Sequence, residues 1–481
     1  MTLPDDVLTR VAAMLLPLMG DTLPANGDDL LRSLPRLAYA MQRRRTVKPG
    51  EVASALTVIP RAEVVPAILS EQHLSLAGKA AILETGEDVR FTNQHLQDYF
   101  LAVYMMGEIA AGRLRAADIW KQSAPDGSMV RTHWEEATIL LAGLYSDDCT
   151  PVLEWLKDAN PELAADCIVK SGAAVPPATL NALHSAWLPR LIDPKRERDP
   201  RARTALGRAL STAGLDNRPG VCDFEWGADY WCRVPAGEFT RGSGEDPDNP
   251  NRIETISYDY WIAKYPVTWG QFTFFLDAAD GYMEDRWWQD LHPDGLKLRG
   301  KNALQQWKIA NHPAETVNWY EAMAFCCWLN ARPSVLPAPL GEGVNSEDYL
   351  LRLPTEQEWE KAARGTDGRI YLYGNIFDKA KGNVYETGIR QTSAVGIFPH
   401  GASPYGALDM SGNVWEWCLN EYQTGNLDVG SSDRKALRGG SWCDDQDRAH
   451  TAYRVSNRPL NRHSYVGFRL VVGVRRPSLR A

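Results

Sequence analysis

The residues with the greatest capacity for chemistry gather near the carboxy terminus, inside "RGGSWCDDQDRAHTAYRVSNRPLNRHSYVGFRLVV" (438–472). A thiol (Cys443), three carboxylates (Asp444, Asp445, Asp447) and two imidazoles (His450, His463) stand there among Tyr453, Ser456, Leu460, Asn461, Arg462 and Tyr465. Such groups could attack, ligate a metal or make a contact surface. The interior keeps neither the period of a strand nor that of a helix. Tyr, His and Arg offer large contact area at modest entropy cost, and Asp, Ser and Asn are adaptable polar neighbours. Taken by residue type alone, a solvated loop without a ligand is still the plainer reading.

Two further sets carry chemistry. Asp409 and Glu416 flank Gly412 and Val414, whose carbonyls complete a set of hard oxygen ligands suited to calcium. An aspartate satisfying its own turn, with a glutamate facing water, explains the same residues equally well. The eight cysteines include Cys418 and Cys443, which stand apart in the sequence. The adjacent Cys326 and Cys327 read as core thiols, and there is no C-x-x-C or H-E-x-x-H. Neither copper nor iron is expected.

These groups need elements to position them. The chain has 481 residues, 44% of them hydrophobic, which is enough for two or three packed domains. A net charge of −9 argues against nucleic acid as a partner, since phosphate contacts need clustered Lys and Arg. The apolar stretch Val11–Met19 follows Asp5 and Asp6 and is broken by Pro17, so it lacks the features of a signal peptide. No apolar run suits a membrane span. Eight scattered cysteines fit a reducing compartment, and the expected location is cytoplasmic.

Residues 1–215 read as a helical adaptor domain. In "FTNQHLQDYFLAVYMMGEIAAG" Leu96, Phe100, Val103 and Tyr104 share a face, with Asp98 and Glu108 outside it. "DPKRERDPRART" reads as a solvated helix end or linker. Residues 216–481 change to short strands, turns and aromatics, and most of the 17 tryptophans lie there. Three helices announce themselves by capping boxes: Thr268 with Gln271, Asn318 with Glu321, and Thr355 with Glu358. "SGNVWEW" reads as a turn into a strand with Trp415 and Trp417 on one buried face. Gly439 and Gly440 allow unusual dihedrals or close backbone approach. The fold class is α+β.

"VPAGEFTRGS", "YWIAKYPVTWGQF", "RLPTEQEWEKAARG", "YGALDMSGNVWEW", "LRGGSW" and "GFRLV" resemble, in that order, the formylglycine-generating-enzyme/sulfatase-modifying-factor family. The resemblance spans roughly 228–473 and implies a C-type-lectin-like domain of short strands and few helices behind an all-helical amino-terminal domain. Its oxidases use a copper-binding cysteine pair, but Asp444 and Ala449 stand at those two positions here. A sulfoxide-forming branch holds iron by histidines, and His73, His95, His133 and His184 are too scattered for that. The family also binds calcium, which the resemblance places at Asp409, Gly412, Val414 and Glu416. A neighbouring calcium loop would map to Asn383 and Val384, with Thr387 where an acid is needed and Glu386 as its possible substitute.

The same fold carries the variable proteins of diversity-generating retroelements, where template adenines, mostly in Asn codons, are randomised between "RGGSW" and "GFR". Changing both adenines of an Asn codon reaches every residue except Met, Trp, Gln, Lys and Glu. From Cys443 to Val466 only Gln446 belongs to that excluded set. This resemblance turns the balance toward a ligand-binding face of Cys443, Asp444, Asp445, Asp447, His450, Tyr453, Ser456, Leu460, Asn461, His463 and Tyr465, with Arg454, Arg458 and Arg469 in the scaffold. "VRFTNQHLQDYFLAVYM" is similar to the helical region of NACHT-type NTPases, although no G-x-x-x-x-G-K-[ST] occurs. The expectation is a non-enzymatic receptor for a protein or other macromolecular ligand, whose helical part docks a partner NTPase or protease. The alternative that the resemblance implies is an oxidase acting on a substrate cysteine, with Cys418 and Cys443 as an unorthodox thiol pair.

Overall fold

A computed structural model describes residues 27–45, 57–244, 249–299 and 305–475; the stretch Val11–Met19 lies outside them. The chain divides into two compact units, Met1–Ala124 with Met129–Leu183, and Pro125–Ser128 with His184–Ala481. Residues 184–215 thus belong with the second unit, not with the helical domain to which the sequence pattern assigns them.

In the first unit, α1 (Gly27–Arg44), α2 (Gln94–Ala110), α3 (Glu135–Leu144) and α4 (Pro161–Lys170) are the longer helices. Asn93 caps α2, its Oδ1 accepting from Leu96 N at 3.0 Å. Phe100 and Val103 are fully buried as the spacing predicts, but so is Asp98, which accepts from Gln94 at 2.7 Å. The wider buried face follows from the helix being covered on two sides. The region is not purely helical. Short strands β1 (Ile59–Pro60), β2 (Leu83–Thr85) and β3 (Asp88–Phe91) form an antiparallel sheet ordered β1-β3-β2. Its signal was the alternation of β3, with Val89 and Phe91 inward.

In the second unit, the segment 193–204, read as a solvated helix end or linker, leads into α5 (Pro200–Thr212); it is half-buried or exposed as far as residue 202, and only from Arg203 onward does the helix turn inward, against that reading. Arg203 is 1% exposed and donates through Nε to Ile397 O at 3.0 Å. Gly207 lies so near Ala394 that an added Cβ would stand 2.7 Å from that methyl. The charge of Arg203 is satisfied by carbonyls, and hydropathy cannot foresee that.

The strands of this unit are β4 (Trp231–Val234), β5 (Gly237–Arg241), β6 (Arg252–Ile256), β7 (Tyr260–Ala263), β8 (Tyr349–Arg352), β9 (Trp415–Glu421), β10 (Lys435–Arg438), β11 (Arg454–Asn457), β12 (Val466–Gly467) and β13 (Val471–Val474). One sheet runs β4-β7-β13-β8, all antiparallel. A second runs β11-β10-β9-β12, antiparallel except that β12 pairs parallel to β9. β5 and β6 form a hairpin sheet. Helices α6 (Trp269–Asp277), α7 (Trp319–Asn330) and α8 (Glu356–Arg364) each begin with the capping box read from sequence, both reciprocal bonds present. β9 is buried along its whole length. Its Trp415 and Trp417 join an aromatic core with Phe272, Phe325 and Phe468, while Cys418 faces the other side with Trp359, Met410 and Ala436. Among the described residues, no helix is long and apolar enough to cross a membrane.

Candidate ligand-binding face

β10 delivers the chain to Arg438, and two glycines then turn it. Gly439 and Gly440 have φ 100° and 73°, and a Cβ on Gly440 would lie 2.9 Å from Arg448 O. The close approach lets Gly412 N donate to Gly439 O at 2.8 Å and Trp442 N to Asn413 O at 3.1 Å. Asn413 itself has φ 67°, as the turn reading required.

Beyond Trp442 the backbone is pinned repeatedly. Thr451 is fully buried; its N donates to Ile370 O at 2.8 Å and its O accepts from Arg438 Nη2 at 2.5 Å. Ala452 O accepts from Asn249 Nδ2, Pro459 O from Trp319 N, His463 O from Thr316 N, and Tyr465 O from Trp415 N. Arg454 forks onto Glu356 at 2.6 and 2.7 Å, and Arg462 forks onto Glu321 at 3.0 and 2.9 Å. Arg462 is therefore scaffold, not a contact anchor. Arg469 is scaffold as expected, while Arg458 is exposed.

Between the pins the eleven residues are graded. Cys443, Asp445 and Asp447 are exposed; His450, Tyr453, Ser456, Leu460, Asn461, His463 and Tyr465 are half-buried. Asp444 corrects the reading. It is 7% exposed; Oδ2 accepts from Trp415 Nε1 at 2.7 Å and from the Ser441 hydroxyl, and Oδ1 from Arg448 Nη1 at 2.8 Å. A carboxylate so buried and engaged holds the loop and does not face a ligand. Tyr453, Leu460 and Tyr465 lean on the aromatic core, with the Tyr453 ring 6.1 Å from Trp415. His463 and Tyr465 stack at 4.9 Å. The Ser456 hydroxyl accepts from Arg434 Nε at 2.8 Å, and Asn461 donates to Asn457 Oδ1 at 2.6 Å.

A rim unseen from spacing flanks this segment. The Tyr371 ring meets His450 edge-on at 4.9 Å, with its hydroxyl 3.0 Å from Nε2. Glu386 Oε1 accepts from Gln446 N at 3.1 Å, and Ile376 (84% exposed) and Tyr385 (52%) are large exposed apolar side chains of the same 370–386 stretch. The Tyr371 hydroxyl is pushed up to about 12, first by burial and then by neighbours that include Asp447, Glu386 and Asp445. Those three carboxylates therefore bear on one place. Only the aromatic density of "YLYGNIF" could have pointed to it.

The calcium set does not form. Glu416 turns inward, where its two oxygens accept from Arg469 Nε and Nη2, each at 2.7 Å, and Oε2 also accepts from Trp359 Nε1 at 2.6 Å. Asp409 (φ 59°) accepts from Gly396 N at 2.6 Å. Thr387, in the neighbouring loop, spends its hydroxyl on Gly382 O. Among the described residues, no three His, Cys, Asp or Glu side chains are grouped to hold a metal ion. The thiol pair fails as well. Cys418 is fully buried beneath α8, Cys443 is exposed beside Ser441 Oγ at 3.3 Å, and burial pushes both thiols up.

Burial, opposed in part by the Gly396 N–H, Arg469 and Arg218, raises Asp409 to about 6. A carboxyl raised on folding costs stability once pH exceeds its unfolded value, with the full cost present above about 6. An asparagine in its place keeps the acceptor and tolerates positive φ. D409N is thus expected to stabilise the fold at pH 7.5 by about 1–3 kcal/mol and to remove the decline between about pH 4 and 6, as read by urea denaturation at several pH values.

Residues 227–474 match the family described as "Sulfatase-modifying factor enzyme 1-like domain". The chain belongs to this family. The α+β reading stands with it: a helical amino-terminal region followed by a C-type-lectin-like domain of the formylglycine-generating-enzyme type. "Inactive C-alpha-formylglycine-generating enzyme 2" of Bos taurus is 29% identical over 293 residues, covering 51% of this chain and 88% of that protein. "Hercynine oxygenase" of Mycobacterium tuberculosis is 29% identical over 264 residues, covering 47% of this chain; the chain spans 55% of that protein's length. Among solved structures, "Treponema denticola variable protein 1" aligns with a TM-score of 0.36 at 23% identity, covering 50% of this chain and 94% of that one. The family match leaves the likeness of residues 30–150 to NACHT-type NTPases an expectation.

Proposed function

We propose that this member of the sulfatase-modifying factor family is a non-enzymatic receptor whose variable face, residues 443–465, captures a macromolecular ligand, as in a diversity-generating retroelement variable protein serving signalling or defence. One observation carries the reading: the backbone of the segment is held at Thr451, Ala452, Pro459, His463 and Tyr465 by buried partners, while Cys443, Asp445 and Asp447 project between the pins. A family position that would carry the first copper thiolate is spent on Asp444, which holds the loop. Calcium is not part of the reading. The helical region would dock a partner NTPase or protease in the cytoplasm.

Asp445, Asp447 and Glu386 give the face an acidic rim, so basic groups on a protein ligand are favoured, with His463, Tyr465 and Tyr385 as aromatic anchors. The test screens a displayed protein library against the immobilised chain. Bound clones should be lost by D445N/D447N/H463S, with an unchanged melting temperature. Recovery of no clone dependent on these residues, or stoichiometric copper with oxygen uptake on a cysteine peptide, would reject the receptor.

A further inference from the structure

The helical unit contains a cavity of about 380 Å3 with no role in the reading above. That volume lies within the range of about 300–1,000 Å3 typical of small-molecule sites. Its wall includes Tyr39, Gln42, Arg43, Arg45, Arg131 and Trp134. Two observations mark it as more than a surface dent. Gln42 is 3% exposed and donates through Nε2 to Thr132 O and His133 O, at 3.3 and 3.0 Å, yet its Oε1 has no partner; nor does the buried Nε of Arg45. A buried polar atom left unpaired costs about 1–3 kcal/mol, and such atoms are few in folded proteins.

The second observation concerns charge. Among the described residues, no carboxylate pairs with Arg43, Arg45 or Arg131. Nearby acids are engaged elsewhere. Asp118 is forked by Arg115 at 2.8 and 3.0 Å, Glu135 accepts from Trp120 Nε1 and Thr132 N, and the buried Asp98 spends its hydrogen bond on Gln94 and feels Arg45 only through space, which offsets that charge in part. Arg45 and Arg131 converge: after burial, they are the groups that push the His133 imidazole pKa down. Clustered unpaired guanidinia in a chain of net charge −9 repel one another and are relieved by an anion. Planar forks match phosphate, a dianion with several acceptor oxygens, better than a single carboxylate. The rest of the wall is mixed: Tyr39 and Trp134, which meet edge-on at 6.1 Å, the apolar Leu114 and Ile119, and Thr132 and Asp118, the last of these neutralised by Arg115.

We propose that this cavity binds an aromatic phosphate monoester, its ring against Tyr39 and Trp134 and its phosphate on Arg43, Arg45 and Arg131. Gln42 Oε1 then accepts from a hydroxyl or N–H on the ligand. The inference is independent of the variable face, so either can fail alone.

Calorimetric titration of the full chain with phenyl phosphate, inorganic phosphate and phenol tests it at about 0.15 M salt, where exposed charges are screened. The expected result is saturable one-to-one binding of phenyl phosphate, at least about tenfold tighter than inorganic phosphate, and none of phenol. Arg43 and Arg131 are both exposed, so R43E/R131E should keep its melting temperature and lose at least about tenfold in affinity. A phosphotyrosyl peptide separates the two sources of the same chemistry: tighter binding than phenyl phosphate supports a protein-borne ester, equal or weaker binding a free one. Absence of saturable phenyl phosphate binding, equal affinity for inorganic phosphate, or undiminished binding by R43E/R131E would overturn the proposal.

Discussion

Replacing Arg469 by methionine is expected to cost about 3–5 kcal/mol of folding stability, the range for breaking a buried ion pair by removal of one partner. Its guanidinium is fully buried and donates to both oxygens of Glu416 at 2.7 Å, to Ala263 O at 2.8 Å and to Leu408 O at 2.8 Å. Methionine fills the volume but leaves a carboxylate uncompensated under Trp359. The double variant E416Q/R469M should be less destabilised than the sum of the single variants, because glutamine removes the orphaned charge and can still accept from Trp359 Nε1. Urea denaturation of the four proteins at pH 7.5 checks this. Near-additive losses would mean that the pair does not work as a unit.

The second large effect is at Glu356, where the scaffold meets the variable face. It is fully buried and accepts from Arg454 Nε and Nη2, Arg438 Nη1 and Arg241 Nη2. Burial would raise its pKa, but Arg438, Arg454 and Arg241 outweigh it and hold the carboxyl at about 2. A depressed carboxylate contributes stability that is fully present above its unfolded value near 4.5 and is lost as pH falls toward 2. E356A should therefore destabilise by about 3–5 kcal/mol at neutral pH, with the gap to the parent protein narrowing as pH is lowered from 4.5 toward 2. It should also weaken ligand capture, since Arg454 anchors β11. Stability of E356A measured across that window decides; a gap independent of pH would contradict the assignment.

How much of this was legible in sequence depends on the range over which each signal acts. Capping boxes are local, so Thr268, Asn318 and Thr355 could be named from four residues each. The turn at Gly412 and Asn413, the strand Trp415–Glu421 and the paired glycines at 439 and 440 were likewise written into short windows. Long-range partners were not. Nothing beside Arg203 indicates that Ile397 O, far along the chain, will receive it. Nothing beside Glu416 reveals that Arg469 rather than solvent or a cation will occupy its oxygens. Asp444 misled because a short acidic run looks solvated whether or not a tryptophan N–H waits above one member. The failure of periodicity marked the segment, but only the family resemblance turned it from a solvated loop into a candidate face; the grading of its positions into exposed, half-buried and scaffold needed coordinates.

The central claim is that the side chains projecting after Trp442 are free to vary without loss of the fold. Its most direct measurement is a library in which Cys443, Asp445, Asp447, Ser456, Asn461 and His463 are randomised together and sorted for protease resistance. Most members are expected to stay folded, whereas randomising Asp444, Thr451, Arg454 and Arg462 should leave few. Collapse of the first library to a small resistant fraction, comparable with the second, would contradict it.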